Sequence, residues 1–349
     1  MTPYNQRIEA FVELGKYLTD FCEKCYANDD SIDLEFKEIV VRAQQENGWF
    51  TQENILHALS EWGHLLTQEN LGDWLSHYNL KLVSAPNTIG IIMAGNIPLV
   101  GFHDFICVIL SGHKVLAKLS SNDKRLLPHL VNFLIGKDPS LKERIAFVDG
   151  KMEGFDAVIA TGSNNTGRYF EYYFGQKPHI IRKNRNSVAI LTGNETHEEL
   201  VALGEDIFRY YGLGCRNVSK IYIPEGYDFE PFFKAMFSYG DIIHQHKYAN
   251  NYDYNKAVYL MSDFKILDNE FLVLKEEAAL SSPISVLFYS YYSSGENLQN
   301  ELERLNDQIQ CVVSNQNKEG HVGFGQTQKP QLDDYADGID TMEFLLRLK

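Results

Sequence analysis

The chain of 349 residues has no Gly-x-Gly-x-x-Gly fingerprint, no apolar run of membrane-spanning length and few cysteines. Each absence narrows the reading. A transmembrane helix needs about 20 consecutive apolar residues, and the polar, acidic N-terminus lacks the layout of a signal peptide. Basic residues are in deficit. Lys and Arg number 32 against 47 Asp and Glu, and the net charge of −15 argues against broad nucleic-acid binding or attraction to anionic membranes. That balance still allows a small basic pocket for a phosphorylated cofactor. The five cysteines (Cys22, Cys25, Cys107, Cys215, Cys311) are odd in number and scattered. They fit reduced thiols rather than a disulfide framework, so a cytoplasmic protein is expected. Cys22 and Cys25 form a Cys-x-x-Cys inside a helical pattern, with no second Cys/His pair at zinc spacing, and no metal site is expected. Internal repeats and low-complexity linkers are absent as well.

What is present reads as an α/β protein. Residues 1 to about 78 carry apolar residues near helical spacing, beginning with Ile8, Phe11, Val12 and Leu14. This helical segment carries no chemistry of its own. From Thr88 to Ala94 the chain is continuously apolar, as a strand buried on both faces requires. Gly95-Asn96-Ile97-Pro98 breaks that run, and residues 99–110 read as an apolar helix. Strands follow at 115–118, 144–148 and 155–160. Ser120-Ser121-Asn122-Asp123 offers cap residues for a helix at 124–134, and Thr161-Gly162-Ser163 opens another helix that runs through Phe174. Alternating strands and helices with short connections predict a doubly wound parallel sheet. Ligands of such sheets lie beyond the carboxyl ends of the strands, where Lys118 and Thr161-Gly162-Ser163 fall. Two further strands, 179–182 and 187–191, lead to a second α/β domain. The expected division is 1–192 for the helical segment and nucleotide-binding domain, and 193–349 for a catalytic domain with a C-terminal tail.

The second domain holds the most unusual stretch, Tyr210-Tyr211-Gly212-Leu213-Gly214-Cys215-Arg216-Asn217-Val218. A helix at 197–211, capped by Thr196, delivers Cys215 to a glycine-flanked loop before a strand at 218–224. Glycines permit positive φ and close approach to a ligand. A thiol in an open, electropositive loop is a candidate nucleophile, whereas most unpaired cysteines are small buried hydrophobes. Asn96 has two readings of the same kind, as an oxyanion donor or as a turn residue before proline. Lys118 reads as a cofactor ligand or a solvated strand-end lysine. Thr161-Gly162-Ser163 reads as a phosphate site on a helix N-terminus or as a plain cap. The aromatic helix at 229–237 reads as an acyl tunnel or, more simply, as core.

Taken in order, Gly95-Asn96-Ile97-Pro98, Val115 to Ser121, Thr161-Gly162-Ser163 and Gly214-Cys215 resemble the aldehyde dehydrogenase superfamily. Within it the chain is most similar to the LuxC-type long-chain acyl-CoA reductases. The Gly-Asn-Ile-Pro wording and the tail Gly325-Gln326-Thr327-Gln328-Lys329-Pro330 with Asp337-Gly338 suit that group. The resemblance covers about residues 85–345. It implies an aldehyde-dehydrogenase-like fold, with Cys215 as nucleophile and Asn96 in the oxyanion hole. It also implies that Lys118, Ser120 and Ser121 hold the adenosine ribose, and that Thr161, Gly162 and Ser163 hold the pyrophosphate. The implied reaction is reduction of a fatty acyl-CoA to the aldehyde through a thioacyl-cysteine. The alternatives are a non-reductive acyl-transfer or acyl-carrier subunit, or another CoA-acylating aldehyde dehydrogenase. Where acid-forming relatives keep a general-base Glu, a loose alignment places Arg182; Glu276 and Glu277 are the carboxylates left for such a role. NAD-preferring relatives place a Glu just after the ribose lysine, and here the residues are uncharged, which favours NADPH over NADH. Expected partners are the acyl-CoA and an acyl-activating enzyme, with a homo-oligomeric chain that binds no nucleic acid and does not insert into membranes.

Overall fold

The computed structural model describes residues 3–80, 85–162, 164–315 and 318–348. Two compact units divide the chain, Met1–Lys183 with Gln331–Lys349, and Asn184–Pro330.

The first unit opens with four helices: α1 (Pro3–Ala27), α2 (Leu34–Glu46), α3 (Gln52–Leu65) and α4 (Gln68–Ser76). Three start on side chains that satisfy an otherwise open N–H. Asp33, Thr51 and Thr67 accept from Phe36, Asn54 and Asn70 respectively. Then come β1 (Thr88–Ile92), α5 (Phe102–Leu110), β2 (Lys114–Lys118), α6 (Leu126–Lys137), β3 (Ile145–Phe147), β4 (Ala157–Thr161), α7 (Asn164–Phe174) and β5 (His179–Arg182). The five strands form one parallel sheet in the order β3-β2-β1-β4-β5. The expected parallel sheet is therefore present, with β1 at its centre. The helical start is part of this unit's core. Phe11, Leu14, Leu18, Phe36 and Leu59 join Phe102, Phe105 and Ile109 of α5 in one buried cluster. The apolar helix expected from residue 99 begins instead at Phe102, because Leu99 adopts φ 57, outside the helical range.

The second unit contains β6 (Asn186–Ile190), α8 (His197–Phe208), β7 (Val218–Pro224), α9 (Phe229–Met236), α10 (His246–Met261), β8 (Ile266–Asp268), β9 (Val273–Glu276), β10 (Val286–Tyr292), α11 (Gly295–Arg304), β11 (Ile309–Val313) and β12 (His321–Val322). Its sheet runs β12-β11-β6-β7-β10-β9-β8. The pairs are parallel except β8 with β9, which is antiparallel. Residues of α8 and α9 pack with the sheet in one cluster, and Leu298 and Leu302 of α11 pack with it in another. Phe232 is fully buried in the first of these, so α9 supplies core.

The final stretch carries α12 (Thr341–Leu346) and groups with the first unit rather than with the second domain expected from the sequence. The reason is a set of long-range polar contacts. Tyr335 accepts from Trp74 Nε1 at 2.9 Å, and Tyr78 donates to Asp340 at 2.8 Å. His103 and His113 bond the carbonyls of Leu332 and Leu345. Arg182, buried at the end of β5, pairs with buried Asp104 of α5 and donates to Thr341 Oγ1 at 2.9 Å.

That pair generates a prediction. Arg182→Met strands a buried carboxylate, which typically costs about 3–5 kcal/mol, whereas replacing both partners by apolar residues is often nearly neutral. Arg182→Met should therefore lower the urea midpoint strongly, and Asp104→Leu with Arg182→Met should recover most of the loss. All three tryptophans (Trp49, Trp62, Trp74) lie in this unit, so their fluorescence reports the transition. A double variant as weak as the single one would refute the account.

Candidate active site

In the first unit the candidate residues gather at the carboxyl ends of neighbouring strands. Ile92 of β1 pairs with Lys118 of β2 and with Ala160 of β4, which sets Lys118 and Thr161 on either side of the segment leaving β1. Asn96 is exposed on the turn that follows. Lys118 donates to the Gly150 carbonyl at 2.8 Å, and Gly162 N–H bonds the Arg182 carbonyl. Ser120 is half-buried and Ser121 exposed. Ser163 lies outside the described residues. The turn after β1 and the segment after β2 touch closely. A Cβ on Gly95 would sit 2.5 Å from Ser120 Oγ, so only glycine allows this approach. Asn47, at the C-terminus of α2, donates to the Asn122 carbonyl at 3.3 Å and steadies the same segment.

Asp123 departs from its expected capping role. Helix α6 starts at Leu126 with no side-chain cap, and the Asp123 carboxylate instead accepts from Leu99 N–H at 2.8 Å. Sequence reading saw a polar cluster before a helix; the partner, 24 residues upstream, leaves no local signature.

The second unit holds Cys215. Helix α8 begins with a reciprocal capping box between Thr196 and Glu199 and ends at Phe208. Beyond it Tyr210, Tyr211 and Gly212 take φ values of 54, 58 and 75. The left-handed region is natural for the glycine but strains each tyrosine by roughly 1–2 kcal/mol. Buried Asn217 stabilises the reversal. Its Nδ2 donates to the carbonyls of Arg209 and Asp206, and its Oδ1 accepts from Gly214 N–H at 2.8 Å. Ser187 Oγ donates to the Cys215 carbonyl at 3.0 Å. Cys215 itself is exposed, while Cys22, Cys107 and Cys311 are buried and Cys25 is intermediate. Burial pushes the Cys22 thiol up to about 12 and raises Cys107 well above the usual range, which leaves neither as a thiolate near neutral pH.

The tail motif noticed in the sequence meets this loop. Asp206, fully buried on α8, accepts from Gly325 N–H at 2.7 Å, Thr327 N–H at 3.0 Å and Thr327 Oγ1 at 2.8 Å. Arg216, next to Cys215, donates through Nε to the Thr327 carbonyl. Arg182, at the position aligned with the general-base Glu, is committed to Asp104, and Glu276 is exposed. Glu277 is bonded by Lys275 at 2.5 Å, and this bond holds its carboxyl below the usual range. Among the described residues no group of His, Cys, Asp and Glu is arranged to hold a metal ion, and no helix is long and apolar enough to cross a membrane.

The family model of the acyl-CoA reductases (LuxC) matches residues 41–238, more than half of the chain. No curated protein matches. Among solved structures, the aldehyde dehydrogenase KauB from Pseudomonas aeruginosa superposes with a TM-score of 0.65 at 10% identity, covering 90% of this chain and 73% of that one. An aldehyde dehydrogenase from Mycobacterium tuberculosis, complexed with NAD+, gives 0.63 at 13% identity, with 91% and 75% covered. An oxidoreductase from Marinobacter aquaeolei gives 0.64 at 12% identity, with 95% and 79% covered. At such identities the likeness establishes the fold, which is that of the aldehyde dehydrogenases.

The Asp206 clasp is testable. Burial pushes this carboxyl up to about 6. Because the folded value lies above the ordinary one, its contribution favours the folded state below the usual carboxylate range and is lost as pH rises through about 6. Asp206→Asn offers one acceptor oxygen where two are used, and turns an amide group toward a backbone N–H. An unmet buried donor costs about 1–3 kcal/mol. Hydrogen exchange of the Gly325 and Thr327 amides should accelerate about 5- to 150-fold at pH 7, and the fall in stability between pH 4 and 6 should flatten. Unchanged exchange at both amides would show that the clasp contributes nothing.

Proposed function

The chain belongs to the acyl-CoA reductase (LuxC) family, and on that premise we propose that it reduces a long-chain fatty acyl-CoA to the aldehyde with NADPH, through a thioacyl-Cys215 intermediate. One observation carries the reading. Cys215 is the exposed cysteine of the chain and sits in a loop whose backbone strain is held by buried Asn217. Strain retained in this way is characteristic of functional loops.

In the proposed reaction Cys215 Sγ attacks the thioester carbonyl. The carbon–sulfur bond of the substrate breaks, CoA leaves as its thiolate, and the acyl group stays on Cys215. The Asn96 amide serves as a donor to the tetrahedral oxyanion, a group whose loss typically costs about 100- to 1000-fold. NADPH, when bound, supplies the hydride that takes the thioacyl group to the aldehyde oxidation level. The donor set at the strand ends suits such a dinucleotide. Lys118 with the uncharged hydroxyls of Ser120 and Ser121 would hold the adenosine ribose and its 2′-phosphate. Thr161 and Gly162, at and just beyond the end of β4, together with Ser163 next in sequence, would hold the pyrophosphate. The loose alignment sets Arg182, not a carboxylate, where acid-forming relatives keep their general-base Glu, and the lack of a proton acceptor at that position disfavours hydrolysis of the thioacyl group to free acid.

Intact-mass analysis after incubation with a long-chain acyl-CoA tests the covalent step. Cys215→Ala should show no adduct, whereas Cys107→Ala and Cys311→Ala should keep it, and NADPH should discharge the adduct as aldehyde. An adduct that survives in Cys215→Ala would overturn the assignment. An adduct that NADPH leaves untouched would favour a non-reductive acyl carrier.

Cofactor preference is checked by kcat/KM with each nucleotide. NADPH should be the better substrate, and Ser121→Glu should move the preference toward NADH through repulsion of the 2′-phosphate. Equal or better use of NADH by the unaltered enzyme would refute this part.

A further inference from the structure

The turn that carries Asn96 is held in an uncommon conformation by a residue that no motif singles out. Leu99 is buried with φ 57, a region that leucine rarely enters. Its N–H donates to Asp123 Oδ2 at 2.8 Å, while Asp123 Oδ1 is buried without a partner. The other side chains that line the small cavity beside Asp123 are apolar: Met93, Ala94, Leu99, Phe102, Leu119 and Leu127. A carboxylate placed there with a single donor is poor value for stability, since buried charge is costly unless well satisfied. It does not cap α6, and burial pushes it up to about 6.

The geometry gives it another use. Pro98 has its φ fixed by its ring, and the residue before a proline is restricted as well, so the chain from Ile97 to Leu99 has little freedom. Anchoring Leu99 N–H therefore fixes the direction in which Asn96 leaves the turn. The other end is fixed where Gly95 abuts Ser120, and the Ser120 carbonyl in turn accepts from Asp123 N–H at 3.1 Å. The turn is thus gripped at both ends by one segment, residues 120–123.

We propose that Asp123 is a positioning residue for acylation, which holds the Asn96 amide in its oxyanion-donating geometry by anchoring the Leu99 N–H. This rests on the role given to Asn96 above. Without the anchor Leu99 relaxes out of the left-handed region and the turn drifts. A shift of about 1 Å at a catalytic group can cost on the order of 100-fold in rate.

A double-mutant cycle on the acylation rate, read as CoA release in a single turnover at saturating acyl-CoA, tests the idea. Asp123→Ala should slow acylation about 10- to 100-fold in the parent enzyme but less than about 3-fold in an Asn96→Ala background, because an effect transmitted through Asn96 disappears with it. Asp123→Asn keeps an acceptor for Leu99 and should recover most of the rate. If Asp123→Ala does not fold, Asp123→Glu, which displaces the acceptor by one methylene, replaces it in the cycle. Multiplicative losses, or an Asp123→Asn variant as slow as Asp123→Ala, would overturn the proposal and leave the role of Asn96 standing. Asn96→Ala acylating at the parent rate would instead overturn the oxyanion reading itself.

Discussion

The buried Asn217 side chain meets needs that the end of α8 creates. A helix leaves its last carbonyls without partners, and here those of Asp206 and Arg209 are met by one amide. The same side chain accepts from Gly214 N–H, which closes the loop that presents Cys215. The closure works against two left-handed tyrosines. Net hydrogen-bond contributions of about 0.5–1.5 kcal/mol each are comparable with that strain, so the loop needs several of them together. Ser187 and Arg216 add further bonds, the latter to the 325–327 segment that Asp206 clasps. Removing the amide would take three hydrogen bonds from the loop at once.

The first unit solves a similar problem with a carboxylate. At the carboxyl ends of its parallel strands the backbone must leave the sheet in defined directions, and hydrogen bonding within the sheet does not specify them. Asp123 and Asn47 supply that specification by bonding backbone groups of distant segments. Arg182 and Asp104 do the same for the C-terminal helix through Thr341. None of these polar groups adds much net stability, because desolvation offsets most of what each bond contributes. Their contribution is to select one arrangement of segments that apolar packing alone would leave loosely defined.

Much of the fold was legible from local pattern. A continuous apolar run marked β1, a short strand pattern marked β4, and Thr196 as a cap marked the start of α8. Helix α10 escaped, since its tyrosines and asparagines (His246–Met261) show no clear apolar stripe. The short strands β8 and β9 escaped as well, because runs of three or four residues carry too little periodicity to register. At the site, residue types and order marked Cys215 and Asn96 as candidates, but each kept a bland reading beside the chemical one.

By itself the sequence determined the alternation of strands and helices, the glycine-flanked setting of Cys215 and the uncharged character of the segment after Lys118. Those properties follow from composition and from neighbours within a few positions, where side-chain period and backbone freedom act directly. The tertiary structure alone decided that Cys215 is exposed while three of the other cysteines are buried. It also decided that Asp123 holds Leu99 rather than a helix, that Asp206 clasps a segment about 120 residues away and that the final stretch packs with the first unit. Burial and long-range hydrogen bonds depend on which surfaces meet once the chain has collapsed, and a donor and acceptor far apart in sequence share no local pattern that would announce their pairing.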